Sequence, residues 1–336
     1  MHAVVLVGGF GTRLRPLTEQ IPKPMLPVGH VPMIVRLIQR LGRGGVTDVV
    51  LALGFKPEPF HAAFPDDRCG DVNVTYAVEP EPLDTAGAIR FAADAAGIDS
   101  TFVVANGDVM TDLDVAVLVE AHREAGADAT IHLTGVDDPS AFGVVDLVDA
   151  VGRAGRVDQF VEKPAPGTEP SNLINAGTYV FEPGVLDLIP AGERASIERD
   201  TFPKLVAAGS MYGLATDDYW IDAGVPDLYR AANLDLLGED RVHDGCEAIA
   251  PDAQVDPGAT VMNTIVGPGA VVEAGTTVVD TVVLPGAFIG ARAQVESSLV
   301  MGRVEADATV IEAIIGADGV VAEGDHVAYD AVPSPA

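Results

Sequence analysis

Val261-Met262-Asn263-Thr264-Ile265-Val266-Gly267-Pro268-Gly269-Ala270-Val271-Val272-Glu273-Ala274-Gly275-Thr276-Thr277 is followed directly by Val278-Val279-Asp280-Thr281-Val282-Val283-Leu284-Pro285-Gly286-Ala287-Phe288-Ile289-Gly290-Ala291-Arg292-Ala293-Gln294, and the two runs align at an offset of 17 residues. Val310-Ile311-Glu312-Ala313-Ile314-Ile315-Gly316-Ala317-Asp318-Gly319-Val320-Val321 repeats the pattern again. Residues 244–260 form a fainter first copy, and residues 295–309 form a copy two residues short. Inside the copies an aliphatic residue returns at nearly every sixth position: Ile249, Val255, Val261, Val266, Val272, Val278, Val283, Ile289 and Val295. Steps of six, three to a coil, with small residues and glycine at the corners, build a triangular β-helix whose inward residue is the aliphatic one. The 17-residue period is three such steps less one. A sandwich of evenly spaced strands would not keep this phase through successive copies.

Upstream of residue 243 the grammar differs. Residues 4–7, 49–53, 72–78 and 102–105 are short β-rich runs and read as strands. Between and after them, residues 33–41, 86–93 and 115–122 carry apolar side chains at helical spacing. Strand–helix alternation with fully apolar strands predicts an α/β domain with a mostly parallel, Rossmann-like sheet and helices on both faces. Ligands of such sheets sit beyond the carboxyl ends of the strands. The expected division is an α/β domain over residues 1–242 and a β-helix domain over residues 243–332.

Composition narrows the partners. The chain has 336 residues with 20 Lys+Arg against 50 Asp+Glu, a formal net charge of −30. No nucleic acid and no anionic membrane is expected to bind such a surface. Hydrophobic residues make up 48% and charged residues 21%, which is globular rather than disordered composition. No apolar run reaches the length of a membrane span. The start of the chain carries neither a basic segment nor a small-residue cleavage site, so a cytoplasmic protein is expected. Cys69 and Cys246 form no disulfide framework and read as reduced thiols. The acidity is uneven, since residues 243–336 hold 14 acids and two bases.

The chemistry lies in the loop after the first strand. Gly8-Gly9-Phe10-Gly11-Thr12-Arg13-Leu14 follows residues 4–7 directly. Glycines at a strand end permit positive φ and close approach to an anion. No Gly-Lys-Ser/Thr follows, and the spacing does not complete a dinucleotide fingerprint. Arg13, Arg15 and Lys23, pinned by Pro16, Pro22 and Pro24, gather three cations in a chain with only four lysines. A polyphosphate accounts for that concentration, with Arg forking onto its oxygens and Lys acting as a point charge.

Gly8 to Thr18 with Pro22-Lys23-Pro24-Met25-Leu26-Pro27 closely resembles the opening motif of the nucleotide-sugar pyrophosphorylases, the sugar-1-phosphate nucleotidyltransferases. Further segments extend the resemblance to about residue 235. They are Glu81-Pro82-Leu83-Asp84-Thr85-Ala86-Gly87, Asn106-Gly107-Asp108, Phe142-Gly143-Val144-Val145, Val161-Glu162-Lys163-Pro164, Asn175-Ala176-Gly177 and Trp220-Ile221-Asp222-Ala223-Gly224. A C-terminal left-handed β-helix of hexapeptide repeats is also a habit of this family. Ser196-Ile197-Glu198-Arg199-Asp200-Thr201-Phe202-Pro203 looks most like the mannose-1-phosphate guanylyltransferases.

The resemblance implies a reaction: an NTP and a hexose-1-phosphate give an NDP-hexose and pyrophosphate, with GTP and mannose-1-phosphate favoured. Glucose-1-phosphate uridylyl- or thymidylyltransfer, or a catalytically silent regulatory subunit, are its alternatives. It also implies roles. Gly8, Gly9, Gly11, Thr12, Arg13, Lys23, Glu79, Asp84 and Gly87 would bind the nucleotide. Gly143, Glu162, Lys163, Asn175 and Gly177 would hold the sugar phosphate. Asp108 and Asp222 would ligate Mg²⁺, a cation that takes few protein ligands. Arg13, Lys23, Asp108 and Asp222 would carry catalysis. The family usually has Gly where Asp84 stands, so Asp84 either disturbs phosphate binding or reads guanine N1–H and the N2 amino group. The β-helix has no lysine and only His326 inside its repeats, so it is expected to be structural and to mediate homo-oligomerisation rather than acyl transfer.

Overall fold

The computed structural model describes residues 1–9, 11–54, 57–238 and 245–334. Phe10 of the glycine loop, Lys56 and the expected boundary at residues 242/243 lie outside them. The chain divides into two compact units, Met1–Gly9 with Ile34–Trp220, and Phe10–Met33 with Ile221–Ala336. The cationic loop thus groups with the β-helix and not with the sheet that precedes it in sequence. Among the described residues no helix is long and apolar enough to cross a membrane.

The first unit is built on a ten-stranded sheet. Its strands are β1 (His2–Leu6), β2 (Asp48–Leu53), β3 (Arg68–Cys69), β4 (Val72–Val78), β5 (Phe102–Asn106), β6 (Ala129–Gly135), β7 (Gly143–Val151), β8 (Ala154–Glu162), β9 (Leu173–Phe181) and β10 (Met211–Thr216). Their order across the sheet is β7-β8-β10-β6-β9-β5-β1-β2-β4-β3. Strands β5, β1, β2 and β4 are parallel; β5, β1 and β2 are continuous apolar runs, whereas β4 interleaves buried Val72, Val74 and Ala77 with exposed residues. The other half is mixed: β9 runs antiparallel to both β5 and β6, and β7 with β8 forms a hairpin. The sequence reading covered only the parallel strands; a hairpin needs no crossover helix, so its alternation gives a different pattern.

Helix α1 (Met33–Arg43) precedes β2, α2 (Glu58–Ala63) precedes β3, α3 (Asp84–Ala96) precedes β5 and α4 (Val115–Ala125) precedes β6. Asp114 caps α4 by accepting the Ala116 N–H at 2.9 Å, and Gly126 ends it in the left-handed region. Helix α5 (Phe202–Ala208) brings the fully buried Phe202 into an aromatic cluster. Its ring lies 5.1 Å from Phe160, 5.3 Å from Tyr179 and 6.4 Å from Phe181, each edge-on. Because β1 and β5 are neighbours whose connections leave in opposite directions, their carboxyl ends form the switch point at which α/β sheets bind ligands.

In the second unit three parallel five-stranded sheets wrap a left-handed β-helix. Gln254 pairs with Val271 and Val271 with Phe288, a step of 17; Phe288 pairs with Arg303, a step of 15; Arg303 pairs with Val320, again 17. The shortened copy expected from sequence is therefore a real coil. Val266, Val272, Val278, Val283, Ile289 and Val295 are buried, as the six-residue phase requires. Ile249 departs from it at 38% exposed, since it lies in the first coil with only an isolated bridge to Val266.

One corner of each coil is fixed by polar chemistry. Asn263, Asp280, Ser297 and Glu312 adopt φ between 42° and 49°. The next residue of the first three is a buried hydroxyl that accepts an N–H from the following coil. Thr281 N donates to Thr264 Oγ1 at 3.3 Å, Ser298 N to Thr281 Oγ1 at 3.2 Å and Ala313 N to Ser298 Oγ at 3.1 Å. These bonds satisfy backbone groups that a left-handed corner would otherwise leave unpaired in the interior.

Candidate active site

Each unit brings together part of the expected constellation. In the first, Gly107 N donates to Leu6 O at 2.8 Å, and a Cβ on Gly107 would lie only 2.8 Å from that oxygen. The bare backbone presses the end of β5 onto the end of β1, and Asp108 is the next residue of the chain. Gly8 and Gly9 stand in open space, with Gly9 at φ +105°.

Strand β9 carries a register irregularity between Asn175 and Tyr179. A bulge there re-aims side chains. Asn175 Oδ1 accepts the Gly177 N–H at 2.9 Å, and Asn175 Nδ2 donates to the Tyr179 hydroxyl at 2.9 Å. Gly177 has φ +78°, and a Cβ there would lie 2.8 Å from Asn106 Nδ2. Gly143 faces Glu162 across the β7–β8 hairpin, and a Cβ on it would meet the Phe160 ring at 2.6 Å and Glu162 Oε2 at 3.0 Å. Both glycines are therefore demanded by packing around the expected sugar-phosphate residues.

Glu162 is half-buried, and burial, reinforced by the charge of Glu198, pushes its carboxyl above the usual range. Lys163 Nζ lies 3.7 Å from Glu162 Oε1. Its backbone is left-handed, at φ +50°, and its N–H donates to Phe142 O at 2.9 Å. Phe142 stacks edge-on with Trp220 at 5.7 Å, and Trp220 Nε1 donates to Ala176 O at 2.9 Å. The fully buried Tyr179 hydroxyl is pushed far up by desolvation, then by the charges of Glu198, Glu162 and Asp108. Those three carboxylates converge on one polar region.

Glu198 is the residue that sequence reasoning missed. Its Oε2 accepts from Thr85 Oγ1 at 2.9 Å and from Ser196 Oγ at 2.8 Å, while Thr85 Oγ1 accepts the Ile197 N–H at 2.8 Å. The Ser196-x-Glu198 spacing was visible, but its meeting with Thr85 across 113 residues was not. Glu79 Oε2 accepts the Leu83 N–H at 2.8 Å and so shapes the turn into α3. A Cβ on Gly87 would meet Glu193 O at 2.6 Å, so the close approach at Gly87 is made by the segment before Ser196. Asp84 adopts φ +61°; its Oδ1 accepts the Thr85 N–H at 2.9 Å, and its Oδ2 lies 3.5 Å from Arg194 Nε. A left-handed φ explains why glycine is the usual choice there.

In the second unit the cationic loop winds around one carbonyl. Gly11 O accepts from Leu14 N at 2.9 Å and from Thr18 Oγ1 at 2.7 Å. Gly11 has φ +58°, and a Cβ on it would lie 3.3 Å from Lys23 Cβ. Lys23 is buried, with its Nζ 3.6 Å from Asp222 Oδ1. That oxygen is buried and accepts no hydrogen bond. A Cβ on Gly224 would lie 2.7 Å from Asp222 Oδ1, 2.8 Å from Arg13 Nη2 and 2.9 Å from Lys23 Nζ. The three charged ends thus meet over a bare Cα. A hard carboxylate oxygen that accepts no hydrogen bond, in a cradle that a methyl group would fill, suits a hard divalent cation. Among the described residues no group of three or more His, Cys, Asp and Glu side chains is arranged to hold a metal, so water and substrate oxygens would complete any cation's shell.

Two family profiles match the chain: nucleotidyl transferase over residues 2–239 and the GlmU-like C-terminal hexapeptide over residues 249–333. The mannose-1-phosphate guanylyltransferase of Mycobacterium tuberculosis is 40% identical over 283 residues, which is 80% of this chain and 75% of that protein. The mannose-1-phosphate guanyltransferase of Yarrowia lipolytica is 43% identical over 229 residues, 67% of this chain and 61% of that protein. The crystal structure of HddC from Yersinia pseudotuberculosis superposes with a TM-score of 0.58 at 32% identity, covering 69% of this chain and 97% of HddC. A second structure of HddC, complexed with GMP-PN, matches at 31% identity with the same TM-score.

Proposed function

The chain belongs to the nucleotidyl transferase family, and from that membership we propose that it joins GTP to mannose-1-phosphate, giving GDP-mannose and pyrophosphate. The convergence of Arg13, Lys23 and Asp222 over Gly224 carries this reading, because it builds a cationic seat for phosphate beside a carboxylate suited to a metal. The similarity to mannose-1-phosphate guanylyltransferases supports the choice of base and sugar.

In the reaction an oxygen of the sugar phosphate attacks the α-phosphorus, and the bond to the β-phosphate oxygen breaks in line. The nucleophile is already an anion, so no general base is required, and catalysis reduces to positioning and charge neutralisation. Arg13 and Lys23 receive the charge of the departing pyrophosphate. Lys163 pairs with the sugar phosphate. Glu162 and Asn175 take hydrogen bonds from, or give them to, the sugar hydroxyls. Asp108 and Asp222 are the proposed Mg²⁺ ligands; the ion, when bound, neutralises phosphate oxygens. Self-association through the β-helix belongs to the same proposal.

A panel of four NTPs against three hexose-1-phosphates, with Mg²⁺ and read by pyrophosphate release, tests the reading. Release is expected with GTP and mannose-1-phosphate. It is expected to fall by orders of magnitude in Lys23→Ala and Asp108→Asn while the fold persists. Release with another pair only would reassign the base or the sugar. No release with any pair would leave the silent regulatory subunit.

A further inference from the structure

The two-residue shortening of the β-helix repeat plays no part in the chemistry above. In one column of corners, Val266 is followed by four residues before Val271, and Val283 by four before Phe288. Between Val300 and Arg303 only Met301 and Gly302 remain, and between Ile315 and Val320 there are again four, residues 316–319. This last corner is locked by backbone alone. Gly316 N donates to Val332 O at 2.8 Å, Gly319 N to Gly316 O at 2.8 Å and Arg303 N to Gly319 O at 2.9 Å. A Cβ on Gly302 would run into the carbonyl oxygens of Gly316 and Gly319.

The same corner meets the cationic loop. A Cβ on Gly316 would lie 2.7 Å from Cβ and Cγ of the buried Pro16. Gln20 Nε2 donates to Asp318 Oδ2 at 2.6 Å. Pro16 stands within a stack of turns in which Arg15 N donates to Thr12 O, Leu17 N to Leu14 O and Glu19 N to Pro16 O. That stack ends on Gly11, which packs against the stem of Lys23. A push on Pro16 therefore reaches the cations through rigid, hydrogen-bonded backbone.

We propose that the β-helix is a positioning element for the phosphate-binding loop. The short corner Met301-Gly302 leaves the recess in which Pro16 and Gln20 seat on Gly316 and Asp318, and this seating aims Arg13 and Lys23. The inference rests on reading those two cations as phosphate ligands, and it adds a role in the site to the structural one expected of the β-helix.

The test compares Gly316→Ala with Gly290→Ala in the full chain. Gly290 is a second crowded β-helix glycine, whose Cβ would press on Ala306 N at 2.7 Å. Thermal midpoint, Mg²⁺-pyrophosphate binding by calorimetry, and kcat and KM for both substrates are measured. Gly316→Ala is expected to weaken pyrophosphate binding and lower kcat by roughly 10- to 100-fold, as sub-ångström misplacement does, with KM for the hexose-1-phosphate unchanged. Gly290→Ala is expected to lower the thermal midpoint without altering the kinetics. Should Gly316→Ala not fold, Asp318→Ala at the exposed end of the contact is expected to weaken pyrophosphate binding several-fold. Equal effects of the two glycine variants, or wild-type pyrophosphate binding in both Gly316→Ala and Asp318→Ala, would overturn the proposal. An inactive wild type with intact pyrophosphate binding would sink the functional reading alone.

Discussion

Gly224→Ala separates the site from the fold. The added methyl would stand 2.7 Å from Asp222 Oδ1, 2.8 Å from Arg13 Nη2 and 2.9 Å from Lys23 Nζ. Ordinary non-bonded separation is about 3.5 Å, so each group must retreat by roughly 0.5–1 Å. All three atoms are ends of long or rotatable side chains, and Gly224 is not among the residues with positive φ. The fold can therefore absorb the methyl cheaply, and the displacement falls on the groups that hold phosphate and metal. Misplacement on this scale costs on the order of 100-fold in rate, about 2.7 kcal/mol of transition-state stabilisation. The assay is pyrophosphate release under kcat/KM conditions, beside a thermal melt of the same preparation. A drop of that order with an unshifted melt is the expected outcome. Wild-type kcat/KM in Gly224→Ala would refute the view that these three groups act where the structure brings them together. A rate loss matched by a lowered melt would refute the claim that the cost lands on the site alone.

Three further outcomes follow from the first unit. His132 is buried, shares one hydrogen bond with Thr216 Oγ1 at 2.8 Å through Nε2, and desolvation pulls its pKa from 6.5 to about 4. The unfolded chain then binds the proton more readily, so stability is intact above pH 6.5 and falls toward pH 4, by roughly 3 kcal/mol over the window. Melts from pH 7.5 to 4.5 should show that slope in the wild type and a flatter one in His132→Leu; parallel slopes would acquit His132. Phe202→Ala, emptying the centre of the aromatic cluster, should cost about 3–5 kcal/mol in denaturant titrations, and a loss below 1 kcal/mol would mean that α5 is not held by this ring. Asp84→Gly should raise stability by about 1 kcal/mol through relief of left-handed strain, since its exposed pair with Arg194 contributes little. Because both Asp84 oxygens are engaged locally, the GTP-to-ATP preference should not change, and loss of that preference would assign Asp84 to the base.

The features legible in the sequence were those set by local periodicity or local chemistry. The parallel strands β1, β2 and β5 show because strands buried on both faces need unbroken apolar runs, and β4 shows by its β-branched and aromatic content. The β-helix shows because every coil places the same side chain inward, from Val266 to Val295. The glycines of the site show as motif letters, but their reasons are tertiary. Gly143 is bare because Phe160 lies over it, Gly177 because Asn106 does, and Gly87 because the carbonyl of Glu193 does. No local pattern encodes an atom that arrives from so far along the chain. Glu198 was hidden for the same reason: Ser196 is its neighbour in sequence, but its other hydroxyl partner, Thr85, lies 113 residues away.

The shortened coil is where the two kinds of information meet. From the sequence it is a defect, two residues missing from an otherwise steady period. In the structure the next corner, Gly316 to Gly319, is the one that touches Pro16 and Gln20. A regular solenoid needs no such interruption, because identical coils stack best. On the proposal made above, the docked loop and not the solenoid accounts for the irregularity. The same logic bears on charge. Residues 243–336 are strongly acidic, and among the described residues their corner meets the cationic loop at Gly316 against Pro16 and at Asp318, which accepts from the neutral Gln20. Arg13 and Lys23 meet Asp222 over Gly224, at the proposed phosphate seat.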